Sequence, residues 1–127
     1  METQNLKLNK STEIIDQISV DKLEEIINNH EFTIIDVRGP KGIKNQGAIP
    51  GAINVPFDDV EMELDSRNSN PNSVFNREGS FLFCCTGGVM SYVAAIKAKE
   101  NGIKNVFNLE GGHSAWKKLK EAVNEEI

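Results

Sequence analysis

The sequence predicts an α/β fold in which a central parallel sheet is covered by helices on both faces. Three short apolar runs, at residues 32–37, 80–84 and 106–109, are typical of strands that are buried on both sides. Segments of helical character separate these runs, and parallel strands require such crossover connections. Because ligands of parallel sheets bind outside the carboxyl ends of the strands, we expect a functional site at that edge.

The first element is expected after a polar stretch. Residues 1–17 contain only scattered Ile and Leu, which predicts a mobile lead-in to a domain of residues 18–127. A short edge strand is expected at residues 18–20. Ser19 is placed to cap a helix that ends at Asn28-Asn29 and carries its apolar residues on one side. Those residues are Val20, Leu23, Ile26 and Ile27.

Turn-forming residues punctuate the segment after the strand at residues 32–37. Residues 39–42, Gly-Pro-Lys-Gly, are interpreted as a breaker cluster. Residues 47–56 are predicted to form a loop and a short strand, and Phe57 to begin a helix that runs to about Leu64. Residues 66–73 are rich in Asn and Ser, which is typical of a surface loop.

Two helices are predicted in the last third of the chain. Residues 91–100 are rich in Ala and present Val89, Val93 and Ile96 on one face, which we expect to be buried. Asn101-Gly102 stands where a helix C-cap is expected. After the strand at residues 106–109, Gly111-Gly112 leads into a helix predicted to turn Trp116, Leu119 and Val123 inward.

Cys85 is the candidate nucleophile because it lies between a buried strand and a glycine loop that opens a helix. The amides and dipole of a helix start favour an anion, so we expect the pKa of this thiol to be lowered. The amides of the loop should cradle the thiolate, and its two glycines should permit the curvature. The loop residues are Thr86, Gly87, Gly88, Val89, Met90 and Ser91. Cys84 alternates with Cys85 along the strand, which predicts a buried core thiol.

Asp36 and Arg38 end the neighbouring strand and are expected at the same edge of the sheet. They either contact the substrate or form a pair that supports the loop, and we favour support. Met90 is predicted at the mouth of the pocket. His113 begins the last helix, where a capping or surface role is expected.

Composition excludes several classes of function. The 127 residues suit one domain with a single core, and the net charge of −5 without a basic cluster disfavours nucleic-acid or anionic-membrane binding. No apolar segment resembles a secretion signal or a bilayer span, so a cytoplasmic location is expected. Adjacent cysteines lie about 3.8 Å apart between Cα atoms, too close for an ordinary disulfide. His30 and His113 complete no zinc spacing, so we expect no metal or other cofactor.

Four segments, taken together, resemble those of the single-domain rhodanese family of sulfurtransferases. They are Ile-Asp-Val-Arg at residues 35–38, Ile-Pro-Gly-Ala-Ile-Asn-Val-Pro at 49–56, Cys-x-x-Gly-x-x-Ser at 85–91, and the Leu-Glu-Gly-Gly-x-x-Ala-Trp end of residues 105–116. The resemblance implies a three-layer α/β/α fold. It also implies that Cys85 carries sulfane sulfur as a persulfide. The donor would be thiosulfate, a polysulfide or a persulfide, including one on a partner protein, and the acceptor a thiol or cyanide.

Three positions depart from the family pattern. Met90 stands where an Arg is frequent, Gly42 where a charged residue is usual, and Ala48 where a His is frequent. Because the loop carries no charge, thiosulfate is expected to bind weakly. Phosphatase or arsenate-reductase chemistry would need an Arg in the loop to hold a tetrahedral oxyanion, and none is present. A non-catalytic rhodanese-like binding module remains the alternative function.

Overall fold

Five parallel strands form one sheet in the part of the chain that the structure describes. The structure is a computed structural model, and it describes residues 14–125. The strands are β1 (Asp16–Ile18), β2 (Phe32–Asp36), β3 (Ile53–Asn54), β4 (Ser80–Cys84) and β5 (Val106–Leu109). They lie in the order β1-β5-β4-β2-β3, and every neighbouring pair is parallel. The predicted parallel sheet is confirmed.

Helices cover both faces of the sheet. They are α1 (Leu23–Ile27), α2 (Pro40–Gln46), α3 (Phe57–Ser66), α4 (Met90–Glu100) and α5 (Gly112–Glu125), with 3-10 turns at Val20–Lys22 and Val74–Asn76. Buried residues of α3 and α4 pack on one face of the sheet, and buried residues of α1 and α5 pack on the other. The three-layer α/β/α arrangement is therefore confirmed.

The register of the sheet brings the ends of β2 and β4 together. Asp36 lies opposite Cys84, and the Val37 amide donates to the Cys84 carbonyl at 2.9 Å. Side chains alternate along β4, so that Phe83 belongs to the core beneath α4 while Cys84 belongs to the core beneath α5. Cys85, the next residue, consequently emerges at the carboxyl edge on the α4 side.

The breaker cluster at residues 39–42 instead begins a helix. Pro40 occupies the first position of α2, and Gly47, at φ 102°, follows its last residue. Proline suits this position because its φ is already helical and the N–H that it lacks has no intrahelical partner. The Gly-Pro pair thus starts a helix here rather than a turn.

The predicted buried face of α4 is confirmed only in part, because Ile96 packs against the core but the two valines are exposed. Val89 is 74% exposed and Val93 is 40% exposed, whereas Ala94, Ala95 and Ala98 are fully buried. Small side chains let the helix lie close to the sheet, and β-branched residues at these positions would hold it away. The helix is therefore rotated from the orientation that the valines suggested.

The two ends of the domain also differ from expectation. The first strand begins at Asp16 and pairs with β5, and Ile15 is buried, so ordered packing starts within the predicted lead-in. Residues 1–13 lie outside the described part. Ser19 makes no side-chain cap bond. In α5, Trp116 is buried as predicted, but Leu119 is only half-buried and Val123 is exposed. Within residues 14–125, no helix has both the length and the apolar character to cross a membrane.

Candidate active site

The Cys85 sulfur lies at the base of the loop that joins β4 to α4. It accepts hydrogen bonds from the Gly88 amide at 3.2 Å and the Ser91 amide at 3.4 Å, and the Ser91 hydroxyl, 3.2 Å away, can donate a third bond to a thiolate. Burial alone would raise the pKa of Cys85. The bonds from Ser91, Gly88 and Gly87 outweigh burial and lower the pKa from its ordinary value of 9.0. This environment favours a nucleophilic thiolate.

Cys84 has the opposite environment, although it is the adjacent residue. Its side chain is fully buried, and its thiol donates to the Ile35 carbonyl at 3.6 Å. Burial, followed by the negative charge of Asp36, raises its pKa well above the ordinary value. Both cysteines are free thiols. Cys84 therefore stays protonated and packs as a core residue, as the strand alternation predicted.

The two loop glycines differ, although the sequence suggested the same role for both. Gly88 has φ 91°, and a Cβ atom there would lie 3.0 Å from the Gly111 amide nitrogen. Gly87 has no positive φ, and a Cβ atom added to it would meet no other atom within 4 Å. The curvature of the loop thus depends on Gly88 alone.

The start of α5 packs directly behind the loop. The His113 amide donates to the Cys85 carbonyl at 2.9 Å, and the Ser114 amide donates to the Thr86 carbonyl at 3.0 Å. A Cβ atom on Gly112 would lie 2.5 Å from the Cys85 oxygen. Gly112 is therefore required by a close backbone approach, which the sequence signalled only as a Gly-Gly turn.

Asp36 and Arg38 form a buried ion pair beside the loop. The Arg38 Nη2 lies 2.6 Å from the Asp36 Oδ2. Arg38 also donates to the Gly47 carbonyl at 3.0 Å and to the Gln46 Oε1 at 3.2 Å, and Gln46 in turn accepts from the Thr86 hydroxyl at 3.2 Å. These bonds connect α2 to the loop, in line with the supporting role that we favoured.

A cavity of about 290 Å³ opens above Cys85. Of the predicted loop residues, four line it and two lie beneath the sulfur. The lining residues are Val37, Arg38, Gly39, Gly42, Cys85, Thr86, Gly87, Val89 and Met90. Met90 is half exposed at the cavity and Gly42 faces it from α2. Arg38 is the one charged residue of the lining, and its charge is already paired with Asp36.

Asn108 is a residue of the site that the sequence analysis missed. Its side chain is fully buried, its Oδ1 accepts from the Ser91 hydroxyl at 2.6 Å, and its Nδ2 donates to the Gly88 carbonyl at 2.9 Å. The Nδ2 also donates to the Gln17 Oε1 at 2.8 Å. The available signal was a single amide within the otherwise apolar strand at residues 106–109.

His113 is buried, contrary to the expected capping or surface role. Its ring packs against Trp116 with 5.9 Å between centroids. Burial, and then the positive charge of Arg38, lowers its pKa, so the ring is neutral at pH 7. In residues 14–125, no group of three His, Cys, Asp or Glu residues is arranged to hold a metal ion.

Comparison with known proteins assigns the family. The model of the rhodanese-like domain matches residues 19–119. The chain belongs to the rhodanese-like domain family. It is 29% identical over 100 residues to the mouse thiosulfate sulfurtransferase/rhodanese-like domain-containing protein 3, covering 75% of this chain and 64% of that protein. It is 25% identical over 104 residues to a sulfurtransferase of Allochromatium vinosum, covering 81% and 89%.

The fold of this rhodanese-like domain is shared with solved structures. The human single-domain sulfurtransferase TSTD1 superposes with a TM-score of 0.68 at 22% identity, covering 83% of this chain and 97% of that one. The motifs that carried the resemblance meet around Cys85. Asn54, from the second motif, donates to the carbonyls of Asp36 at 2.9 Å and Arg38 at 2.8 Å, and so holds the end of β2.

Proposed function

We propose that this rhodanese-like domain is a sulfurtransferase in which Cys85 carries the transferred sulfur. The observation that supports this proposal is the Cys85 sulfur itself, which lies at the base of an open cavity within hydrogen-bond distance of two amides and the Ser91 hydroxyl. Oriented donors of this kind stabilise a thiolate before reaction and a persulfide anion after it. The similarity to a protein named as a sulfurtransferase also supports this proposal.

The reaction has two nucleophilic steps. The Cys85 thiolate attacks the outer sulfur of a donor persulfide, a new S–S bond forms, and the donor's S–S bond breaks with its electron pair leaving as the donor thiolate. An acceptor thiolate or cyanide then attacks the outer sulfur of the Cys85 persulfide. Cleavage of that bond returns the Cys85 thiolate, so the enzyme undergoes no net change.

The cavity favours a donor of low charge. Thr86, Gly87, Val89 and Met90 contribute no charge to the lining, and most N–H groups of Arg38 are used within the protein. A charge-assisted hydrogen bond contributes about 1.5–3 kcal/mol, and the helix dipole only about 0.3–1 kcal/mol. A small persulfide, an organic polysulfide or a persulfide on a partner protein should therefore react better than the dianion thiosulfate.

Intact mass spectrometry after incubation with polysulfide tests the proposal. The wild type should gain 32 Da, about the mass of one sulfur atom, and lose it on addition of cyanide. Cys85→Ser should gain nothing, while the matched variant Cys84→Ser should still gain sulfur but unfold more easily, because a hydroxyl is then buried in the core. Sulfur loss in Cys84→Ser with retention in Cys85→Ser would refute the assignment.

A non-catalytic binding module is the second candidate, and the exposed side chains of Val89, Met90 and Val93 favour it. Alkylation by iodoacetamide separates the two. A sulfurtransferase requires the Cys85 thiolate, so the alkylation rate should rise with pH through a pKa below 9.0 and then level off. Reaction that rises only near pH 9, together with no sulfur uptake, would favour the binding module.

A further inference from the structure

The orientation of the Asn108 side chain is determined by its hydrogen bonds. The Gly88 carbonyl can only accept a hydrogen bond, so the amide nitrogen of Asn108 must face it. The second N–H points to the Gln17 Oε1. The Asn108 Oδ1 is therefore left facing the Ser91 hydroxyl, 2.6 Å away.

The Ser91 hydroxyl has one proton and two candidate acceptors. Its oxygen lies 2.6 Å from the Asn108 Oδ1 and 3.2 Å from the Cys85 sulfur. Because Oδ1 can only accept, the short contact requires that the Ser91 proton lie between these two oxygens. The lone pairs of Ser91 then face Cys85, whose thiol donates its own proton to them. This arrangement fits the protonated thiol.

Ionisation of Cys85 reverses the direction of that contact. A thiolate has no proton to donate, and the lone pairs of Ser91 would repel it. The Ser91 hydroxyl can instead turn its proton to the sulfur, which leaves the buried Asn108 Oδ1 without this donor. The thiolate and Asn108 thus compete for a single proton.

We propose that Asn108 is a positioning residue that holds the Ser91 proton while Cys85 is a thiol or a neutral persulfide sulfur, and releases it to the sulfur when Cys85 ionises. The inference rests on the proposed role of Cys85 as the nucleophile. By holding the Ser91 proton, the Asn108 Oδ1 opposes the ionisation of Cys85. The Asn108 Nδ2 has a separate role, since it supports the loop at Gly88.

The other charged and titratable groups around Cys85 are the same in every variant with a change only at Ser91 or Asn108. They are Asp36 at the end of β2, Arg38 two residues beyond it, Cys84 on β4 and His113 at the start of α5. The packed helices add Lys41 and Lys44 on α2, and Tyr92 and Lys97 on α4. None of them makes a hydrogen bond to the Ser91 hydroxyl or to the Asn108 amide among the described residues. Changes at Ser91 and Asn108 can therefore be attributed to those two side chains.

A double-mutant cycle tests the competition. The pKa of Cys85 is read from the pH dependence of its alkylation by iodoacetamide, followed by peptide mapping, in the absence of any sulfur donor. Ser91→Ala should raise this pKa by about one unit, because a donor to the thiolate is lost. Asn108→Leu should lower it in the presence of Ser91, and should not lower it in the Ser91→Ala background.

Loss of loop support gives a different pattern. If Asn108 acts only through Gly88, Asn108→Leu should shift the pKa upward and by the same amount in both backgrounds, and that outcome would overturn the proposal. Gln17→Leu is the matched control, because it removes a partner of Asn108 without touching Ser91, and should not shift the pKa.

The S–H stretching band in the infrared tests the resting state without a change at Asn108. At a pH below the pKa of Cys85, its band should have the hydrogen-bonded position and move to the free position in Ser91→Ala. Cys84→Ser identifies the band of the second thiol. A free S–H band for Cys85 in the wild type would overturn the proposal. If the pKa and the S–H band of Cys85 shift as expected but the protein forms no persulfide, the proposed sulfur transfer is refuted and the role of Asn108 is not.

Discussion

The adjacent residues Cys84 and Cys85 differ in chemistry because their side chains face opposite sides of the sheet. Cys84 points into the core between the sheet and α5, where burial and the negative charge of Asp36 raise its pKa. Cys85 points to the α4 side, where loop amides and the Ser91 hydroxyl lower its pKa. At the scale of the residue, reactivity depends on hydrogen-bond donors more than on exposure, since both side chains are buried.

Gly88 and Gly87 give a matched pair of substitutions. Gly88→Ala should destabilise the fold by more than about 1–2 kcal/mol, because positive φ alone costs that much and the added Cβ also crowds Gly111. Alkylation of Cys85 should slow as the loop shifts. Gly87→Ala should leave both properties nearly unchanged. Urea unfolding and alkylation rates measure the effects, and equal losses in the two variants would show that our account of the loop is wrong.

Met90→Arg tests the expected discrimination against thiosulfate. Met90 lines the cavity and is half exposed, so an Arg there can reach a bound dianion without being buried. We expect kcat/KM for thiosulfate to rise about tenfold or more, the effect of one charge-assisted hydrogen bond. Turnover of a neutral persulfide should change little.

Val93→Arg is the control for this variant. It adds the same charge to α4, but Val93 does not line the cavity. A similar gain in both variants would indicate long-range attraction rather than contact with the donor. A wild type with a low KM for thiosulfate, unimproved by Met90→Arg, would contradict the prediction.

At the scale of the element, α4 shows that a helix can bury its alanines while larger apolar residues of the same segment stay exposed. Its small residues Ala94, Ala95 and Ala98 face the sheet, and Val93 is exposed, as is Val89 just before the helix. This orientation brings the Ser91 hydroxyl beneath the Cys85 sulfur. Close packing of the helix on the sheet is thus part of the geometry of the site.

Ala95→Leu tests this packing. Three further carbon atoms have no space between α4 and the sheet, and overpacking of a core typically costs about 1–3 kcal/mol. The free energy of unfolding, measured in urea, should fall by that amount. The exposed neighbour Val93→Leu should change it by less than about 0.5 kcal/mol. A stable Ala95→Leu variant would mean that the helix has room to move away from the sheet.

At the scale of the whole molecule, the start of the last helix supports a loop more than 20 residues before it. The amides of His113 and Ser114 bond to the carbonyls of Cys85 and Thr86, and the absence of a side chain at Gly112 permits the approach. The parallel sheet makes this possible, because the ends of β4 and β5 lie side by side.

Gly112→Ala should therefore disturb Cys85 from a distance in sequence. Its Cβ would lie 2.5 Å from the Cys85 oxygen, which forces the loop and the helix apart. We expect lower stability and slower alkylation of Cys85. Gly102→Ala is the control. It also has positive φ, but its Cβ meets only the flexible end of Arg67 at 3.3 Å. It should lose stability without a change in alkylation, and identical behaviour of both variants would argue against support from α5.

The sequence by itself determined the order of the strands along the chain, most of the helices and the place of Cys85. Apolar runs, glycine pairs and their spacing are local signals, and each of these features follows from a few neighbouring residues. The alternation of Cys84 and Cys85 also followed locally, since successive side chains of a strand face opposite sides. The family motifs added the expectation of sulfur chemistry.

Only the tertiary structure decided which residues surround the sulfur and which face of α4 is buried. Asn108, Gln46 and Gly112 reach the loop from other elements, and no local pattern relates them to Cys85. Which face of α4 is buried depends on the space between the helix and the sheet. Because that space is narrow, alanines are buried there and the larger valines are exposed. These features arise from contacts between segments distant in sequence, which pattern and propensity do not encode.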